Sequence, residues 1–140
     1  MILIDTNVIS EVMRSEPDGR VKAWLNGQMR GEVGITSITV AEVLYGIWSL
    51  PEGRRRNQLL GAAAEVFGGY LSGRIFAFDH RAAVEYAEIV VGRERIGTPI
   101  SMADAQIAAI CLANSADLAT RNTKDFDNTG IALFNPWTES

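Results

Sequence analysis

The chain has 140 residues, 47% of them apolar and 21% charged, which is the balance of one soluble globular domain and too apolar for a disordered one. At this length about two-thirds of the unfolded surface becomes buried, so folding needs no disulfide or structural metal; the single cysteine, Cys111, excludes an internal disulfide, a cysteine-rich zinc site and a paired redox motif. A net charge of −4 argues against a protein that coats nucleic acid, but not against an enzyme that meets one locally.

The pattern reads as one domain over residues 1–140, with no linker, repeat or long charge block. Met1-Ile2-Leu3-Ile4 reads as a first strand buried on both faces, and it meets Asp5 at once, unlike a signal peptide. A helix is expected over Asn7 to Arg14 and another over Val21 to Met29, split by the turn-like Ser15-Glu16-Pro17-Asp18-Gly19. Val33-Gly34-Ile35 reads as the second strand. From Thr39 to Leu50, the positions Val40, Val43, Leu44 and Ile47 repeat at helical spacing. Glu52 to Leu71 reads as a helix weakened at Gly68-Gly69, and Ile75 to Phe78 as the third strand. Helices over His80 to Arg95 and Ser101 to Asn114 follow, then strands over Asp117 to Thr120 and Ile131 to Phe134. Strands alternating with helices predict an α/β domain with a parallel sheet. No window has 18 uninterrupted apolar residues, so no membrane helix is expected, and the expected compartment is the cytoplasm.

Several polar residues share one relation to this pattern. Asp5 follows the first strand, Glu42 follows the second and is expected in the first turn of a helix, and Asp104 falls in the first turn of a later helix. Asn122 and Asp125 follow the fourth strand. In parallel α/β sheets, ligands bind in the crevice beyond the carboxyl ends of the strands, so these distant residues have a place to meet. Each also has a plain structural reading. Thr39-x-x-Glu42 and Ser101-x-x-Asp104 fit capping boxes, Asn122-x-x-Asp125 fits a cap, and Asp5 is able to open a helix. Against capping alone, Asp104 precedes Ala108 and Cys111 by four and seven residues, on or beside the buried stripe. Carboxylates converging to about 5 Å repel by roughly 3 kcal/mol per pair at an effective dielectric of 20, so a cation or proton uptake must hold such a cluster. All-oxygen ligands suit Mg²⁺ or Mn²⁺ rather than zinc.

Ile2-Leu3-Ile4-Asp5-Thr6-Asn7-Val8-Ile9-Ser10-Glu11 resembles the opening of a PIN domain, specifically a VapC or FitB-like toxin nuclease. Ser37-Ile38-Thr39-Val40-Ala41-Glu42, Ala103-Asp104-Ala105-Gln106-Ile107-Ala108-Ala109, Ala119-Thr120-Arg121-Asn122 and the closing Asn135-Pro136-Trp137 follow at family-like spacing. The resemblance spans essentially the whole chain; its specificity lies in the ordered set rather than in any one motif. It implies a three-layer α/β/α sandwich around a central, mainly parallel five-stranded sheet. It also implies an Mg²⁺- or Mn²⁺-dependent endoribonuclease, the toxin of a type II toxin–antitoxin system. Asp5 and Asp104 match the family's principal metal-binding aspartates and Glu42 its third acid. The fourth acidic position is Asn122 here, a departure, with Asp125 nearby to supply charge or to cap a helix.

In the implied mechanism a metal-activated water attacks phosphorus in line, with Glu42 or Asp104 orienting or deprotonating it. Thr6 and Asn7 are placed to hydrogen-bond metal waters or a phosphate, or to cap the first helix. Arg121 and Lys124 adjoin the fourth acidic position, and Arg54-Arg55-Arg56 is the densest basic run, read either as substrate-binding or as a solvated helix face. The only histidine, His80, is expected at a surface or capping position. The resemblance further implies a homodimer, RNA as substrate and a VapB-like antitoxin that crosses the active site, with DNA reached only through that antitoxin. Trp24, Tyr45 and Trp48 are candidate antitoxin contacts or core residues. Three other readings compete. A haloacid dehalogenase-type phosphatase wants an acid where Asn7 stands, a receiver-like domain wants a different spacing of acids, and a degenerate PIN domain that only binds a partner is consistent with Asn122.

Overall fold

Five short apolar runs form a sheet in which every pairing is parallel: β1 (Ile2–Ile4), β2 (Val33–Thr36), β3 (Ile75–Phe76), β4 (Asp117–Ala119) and β5 (Leu133–Phe134). The computed structural model describes residues 1–139. The strand order is β3-β2-β1-β4-β5, so the chain builds outward from β1 on one side and returns to build on the other. The order therefore reverses between β1 and β4, where Leu3 lies opposite Leu118 and Ile4 opposite Ala119.

Side chains alternate across this sheet. Leu3 and Leu118 enter the core under α5 (His80–Arg95) and α6 (Met102–Ala113). Ile4 and Ala119 enter the core under α1 (Thr6–Val12), α2 (Gly19–Asn26), α3 (Ser37–Trp48) and α4 (Arg54–Glu65). The result is the expected three-layer α/β/α sandwich, and burial on both faces is why its strands read as continuous apolar runs. Gly34 is required on β2, because a Cβ there would meet the side chains of Leu3 and Phe76 at 2.8 Å. Cys111 is fully buried on α6, and burial pushes its thiol up to about 12, with Asp5 and Asp117 adding to the rise, so it is an inert core residue.

The departures from the sequence pattern are local and have causes. The helix read from Glu52 to Leu71 ends at Glu65 and continues as a π-helical turn over Val66–Tyr70, where Gly68 and Gly69 remove the side chains that stiffen a regular helix. The third strand stops at Phe76, because Asp79 accepts a hydrogen bond from the Ala82 N–H at 3.0 Å and caps α5. The helix expected from Thr39 begins two residues earlier, at Ser37. Its cap is Thr36, whose hydroxyl accepts the Thr39 N–H at 3.0 Å, so Thr39-x-x-Glu42 is not a capping box and Glu42 is free for other work.

Candidate functional site

The switch point between β1 and β4 opens onto Asp5, which is 5% exposed. Its own N–H continues the sheet by donating to the Ala119 carbonyl at 2.9 Å. A buried carboxylate needs donors, and three are present. The Thr6 N–H reaches Oδ1 at 2.8 Å, while the Thr120 hydroxyl and the Asn7 amide reach Oδ2 at 2.8 and 3.3 Å. Asp5 thus caps α1, as the plain reading expected, and still keeps acceptor capacity, since a carboxylate offers about four lone-pair positions. Burial raises its pKa above the usual carboxylate range; the three donors pull it back in part, and the charge of Glu42 pushes the same way as burial.

Thr120, fully buried just past β4, was not singled out by the sequence pattern and is the hub of this network. Besides donating to Asp5, its oxygen accepts the Asn122 N–H at 3.1 Å and the Asn7 amide at 3.3 Å. Asn7 closes the circuit by accepting the Arg121 N–H at 3.1 Å. The ends of β1 and β4 are therefore clamped by side chains far apart in sequence.

Thr6 connects the next acid. Its hydroxyl donates to Glu42 Oε1 at 2.7 Å while its N–H holds Asp5, so one residue touches both carboxylates. Asp104 stands half-buried in the first turn of α6, which Ser101 caps as expected by accepting the Asp104 N–H at 3.2 Å. Its carboxyl is pushed up to about 6, first by burial, opposed by the Ser101 hydroxyl, then raised further by the charges of Asp5, Asp125 and Glu42. All four acids thus share one electrostatic neighbourhood. Among the described residues none of them has an ion-pair partner, and no three Asp, Glu, His or Cys side chains stand close enough to form a ready-made metal-ligand set. The chemistry of the site, oxygen donors with uncompensated negative charge, fits a hard divalent cation, with the acids spaced openly rather than as a closed cage.

Asn122 does not cap the turn that follows it. It precedes a 3-10 turn over Thr123–Phe126 without a side-chain cap bond, and its carbonyl accepts the Asp125 N–H at 3.0 Å. A second residue missed by the sequence pattern, Arg93, holds this turn. Its buried guanidinium donates to the carbonyls of Asp125 and Asp127 at 2.9 and 3.0 Å and to that of Thr98 at 2.6 Å, with no carboxylate partner. Arg121 lies over the Trp137 ring at 4.9 Å. The Arg54-Arg55-Arg56 run stands away from the acids, at the start of α4 beside Trp48, and His80 is exposed at the start of α5. Trp24 stacks on Phe134 at 5.3 Å, whereas Tyr45 and Trp48 remain 77% and 58% exposed.

Fold and site together define an all-parallel α/β/α protein with oxygen-only acids gathered about its topological switch point. The family model for the PIN domain matches residues 2–132, and the chain belongs to the PIN domain family. It is 39% identical to a protein of Sinorhizobium fredii named VapC ribonuclease Y4jK, over 98% of both chains. It is 40% identical to the toxin FitB of Neisseria gonorrhoeae, over 98% of this chain and 99% of that one. The solved structure of FitAB bound to an IR36 DNA fragment superposes with a TM-score of 0.94 at 39% identity, covering all of this chain and 98% of the other.

Proposed function

We propose that this chain is the toxin of a toxin–antitoxin pair, an endoribonuclease that hydrolyses RNA phosphodiester bonds with Mg²⁺ or Mn²⁺ held by Asp5, Asp104 and Glu42. The observation that carries this reading is the clamped, buried Asp5 sharing Thr6 with Glu42 and its electrostatic field with Asp104. Such a concentration of unpaired acids destabilises an empty fold, and a protein keeps it where a cation is to be captured. The relatives named as VapC ribonuclease and toxin FitB support the activity, and the FitAB–DNA structure supports an antitoxin partner through which DNA is reached.

Bound among these carboxylates, a divalent cation supplies Lewis acidity for the phosphodiester and lowers the pKa of a water. The chain supplies position. Thr120, Asn7 and the Thr6 N–H fix the Asp5 carboxylate in one rotamer, so it does not reorganise as charge builds on phosphorus. Glu42 is exposed, with Oε1 engaged by Thr6, and its other oxygen remains to orient the attacking water and take its proton. Asp125 adds charge near Asp104, where Asn122 replaces an acid.

The proposal includes a homodimer and a cytoplasmic location; no described helix is long and apolar enough to cross a membrane. A second reading, a weakly catalytic PIN domain acting mainly through its partner, is favoured by Asn122 and by the open spacing of the acids. One experiment separates the two. The purified, antitoxin-free chain is incubated with a labelled RNA pool in Mn²⁺ or in EDTA. Cleavage that EDTA and Asp104→Ala both abolish supports the nuclease; intact RNA under every metal condition supports the second reading.

A further inference from the structure

An acidic protein that cleaves an acidic polymer must hold it somewhere other than on its carboxylates. On α3 the exposed side chains Glu42, Tyr45 and Trp48 follow one another at three-residue steps, so neighbours along this line touch the same helix surface. From Glu42 to Trp48 the helix rises about 9 Å, the length of two to three stacked nucleotides at about 3.4 Å each. At the far end α4 packs against α3 and begins with Arg54, Arg55 and Arg56. Arg54 and Arg55 are exposed, and Arg56 lies over the Trp48 ring at 5.0 Å. Its nearest acid, Glu52, is 3.9 Å away and almost wholly in water, so the charge at this end is weakly compensated. Two exposed aromatic rings on the helix that carries Glu42, followed by three arginines, are the parts of a single-strand binding track: ring faces for bases and cations for phosphates.

We infer that single-stranded RNA runs along α3 from Glu42, with bases stacking on Tyr45 and Trp48 and phosphates meeting Arg54 and Arg55. This rests on the nuclease reading for the identity of the polymer, but its test does not depend on cleavage. The net charge of −4 is what makes the location specific, because this is the densest basic run in the chain.

The test is fluorescence anisotropy with a 5′-labelled single-stranded oligoribonucleotide pool in EDTA, using the whole chain and the variants Trp48→Ala, Trp48→Phe, Tyr45→Ala and Arg54→Ala/Arg55→Ala. Circular dichroism and light scattering report fold and oligomeric state. Expected are about tenfold weaker binding for Trp48→Ala, rescue by Trp48→Phe, a smaller loss for Tyr45→Ala, and a shallower salt dependence for the double arginine variant. Equal affinity across all variants overturns the track and leaves the nuclease reading standing on its cleavage assay. Absence of RNA binding by the unaltered chain overturns the track as well. Loss of self-association in Trp48→Ala with RNA affinity unchanged overturns it in favour of a protein-docking surface.

Discussion

At the carboxyl ends of β1 and β4, Asp5 is buried and gripped by three donors; at the amino end of the sheet, Asp117 and Glu32 stand in water beside a cavity of about 380 Å³ lined also by Met1, Trp24 and Phe134. Both ends carry carboxylates, and the amino end has the roomy cavity. What distinguishes the carboxyl end is that its charge is held against its own tendency to escape. Asp5 is held by hydrogen bonds from the start of α1 and from Thr120 just past β4, and Asp104 is pushed up to about 6 by burial and by its acidic neighbours. A cavity alone needs only imperfect packing, whereas a buried acid that shares its field with a half-buried one and two exposed ones needs something to offset the repulsion.

The sharpest way to break this contrast is to neutralise each end in turn. Asp5→Ala or Asp104→Ala is expected to lower Mn²⁺-dependent RNA cleavage by about two orders of magnitude or more while circular dichroism stays native. Arg93→Ala should cost about 3 kcal/mol in urea unfolding, because three carbonyls lose a buried donor, and it should loosen the turn that carries Asp125. Thr120→Val, which keeps the side-chain shape and removes the hub hydroxyl, is expected to reduce cleavage about tenfold and to cost about 1–2 kcal/mol in urea unfolding.

A subtler test uses protons. The folded pKa of Asp104, about 6, lies above its ordinary 3.8, so the folded chain binds this proton more tightly than the unfolded one. In EDTA its contribution to stability is therefore fully present below about pH 4 and is lost as pH rises through about 6, with Asp5 acting in the same direction. The change for half-exposed Asp104 is on the order of 1 kcal/mol after solvent screening, and Asp104→Asn should flatten it in denaturant titrations across that window. At the other end of the sheet, Glu32→Ala and Asp117→Ala should each shift stability by no more than about 0.5 kcal/mol and leave cleavage unchanged.

Much of this was legible in the chain because a parallel sheet buried on both faces writes its strands as plain apolar runs, and an acid closing such a run, as at Asp5, stands out. Asp104 was legible for the same reason, as a charge beside a buried stripe. Glu42 was harder. Thr39-x-x-Glu42 imitates a capping box, and only the choice of Thr36 as the cap frees the glutamate to meet Thr6. Thr120 and Arg93 were not legible. Thr120 acts across the β1–β4 switch point and Arg93 grips carbonyls on a distant turn, and neither partnership leaves a local spacing to read. Local chemistry announces caps and strands; which distant backbone lies opposite a side chain is settled by topology.

In the proposed nuclease, side chains from the end of β1, the middle of α3 and the start of α6 capture one divalent ion. Calorimetric titration of the metal-free chain with Mn²⁺, beside Asp5→Ala, Glu42→Ala and Asp104→Ala, tests it most directly. Expected are binding by the unaltered chain, its loss in both aspartate variants and its weakening in the glutamate variant. Equal Mn²⁺ affinity in all four proteins, or none in any, would contradict it.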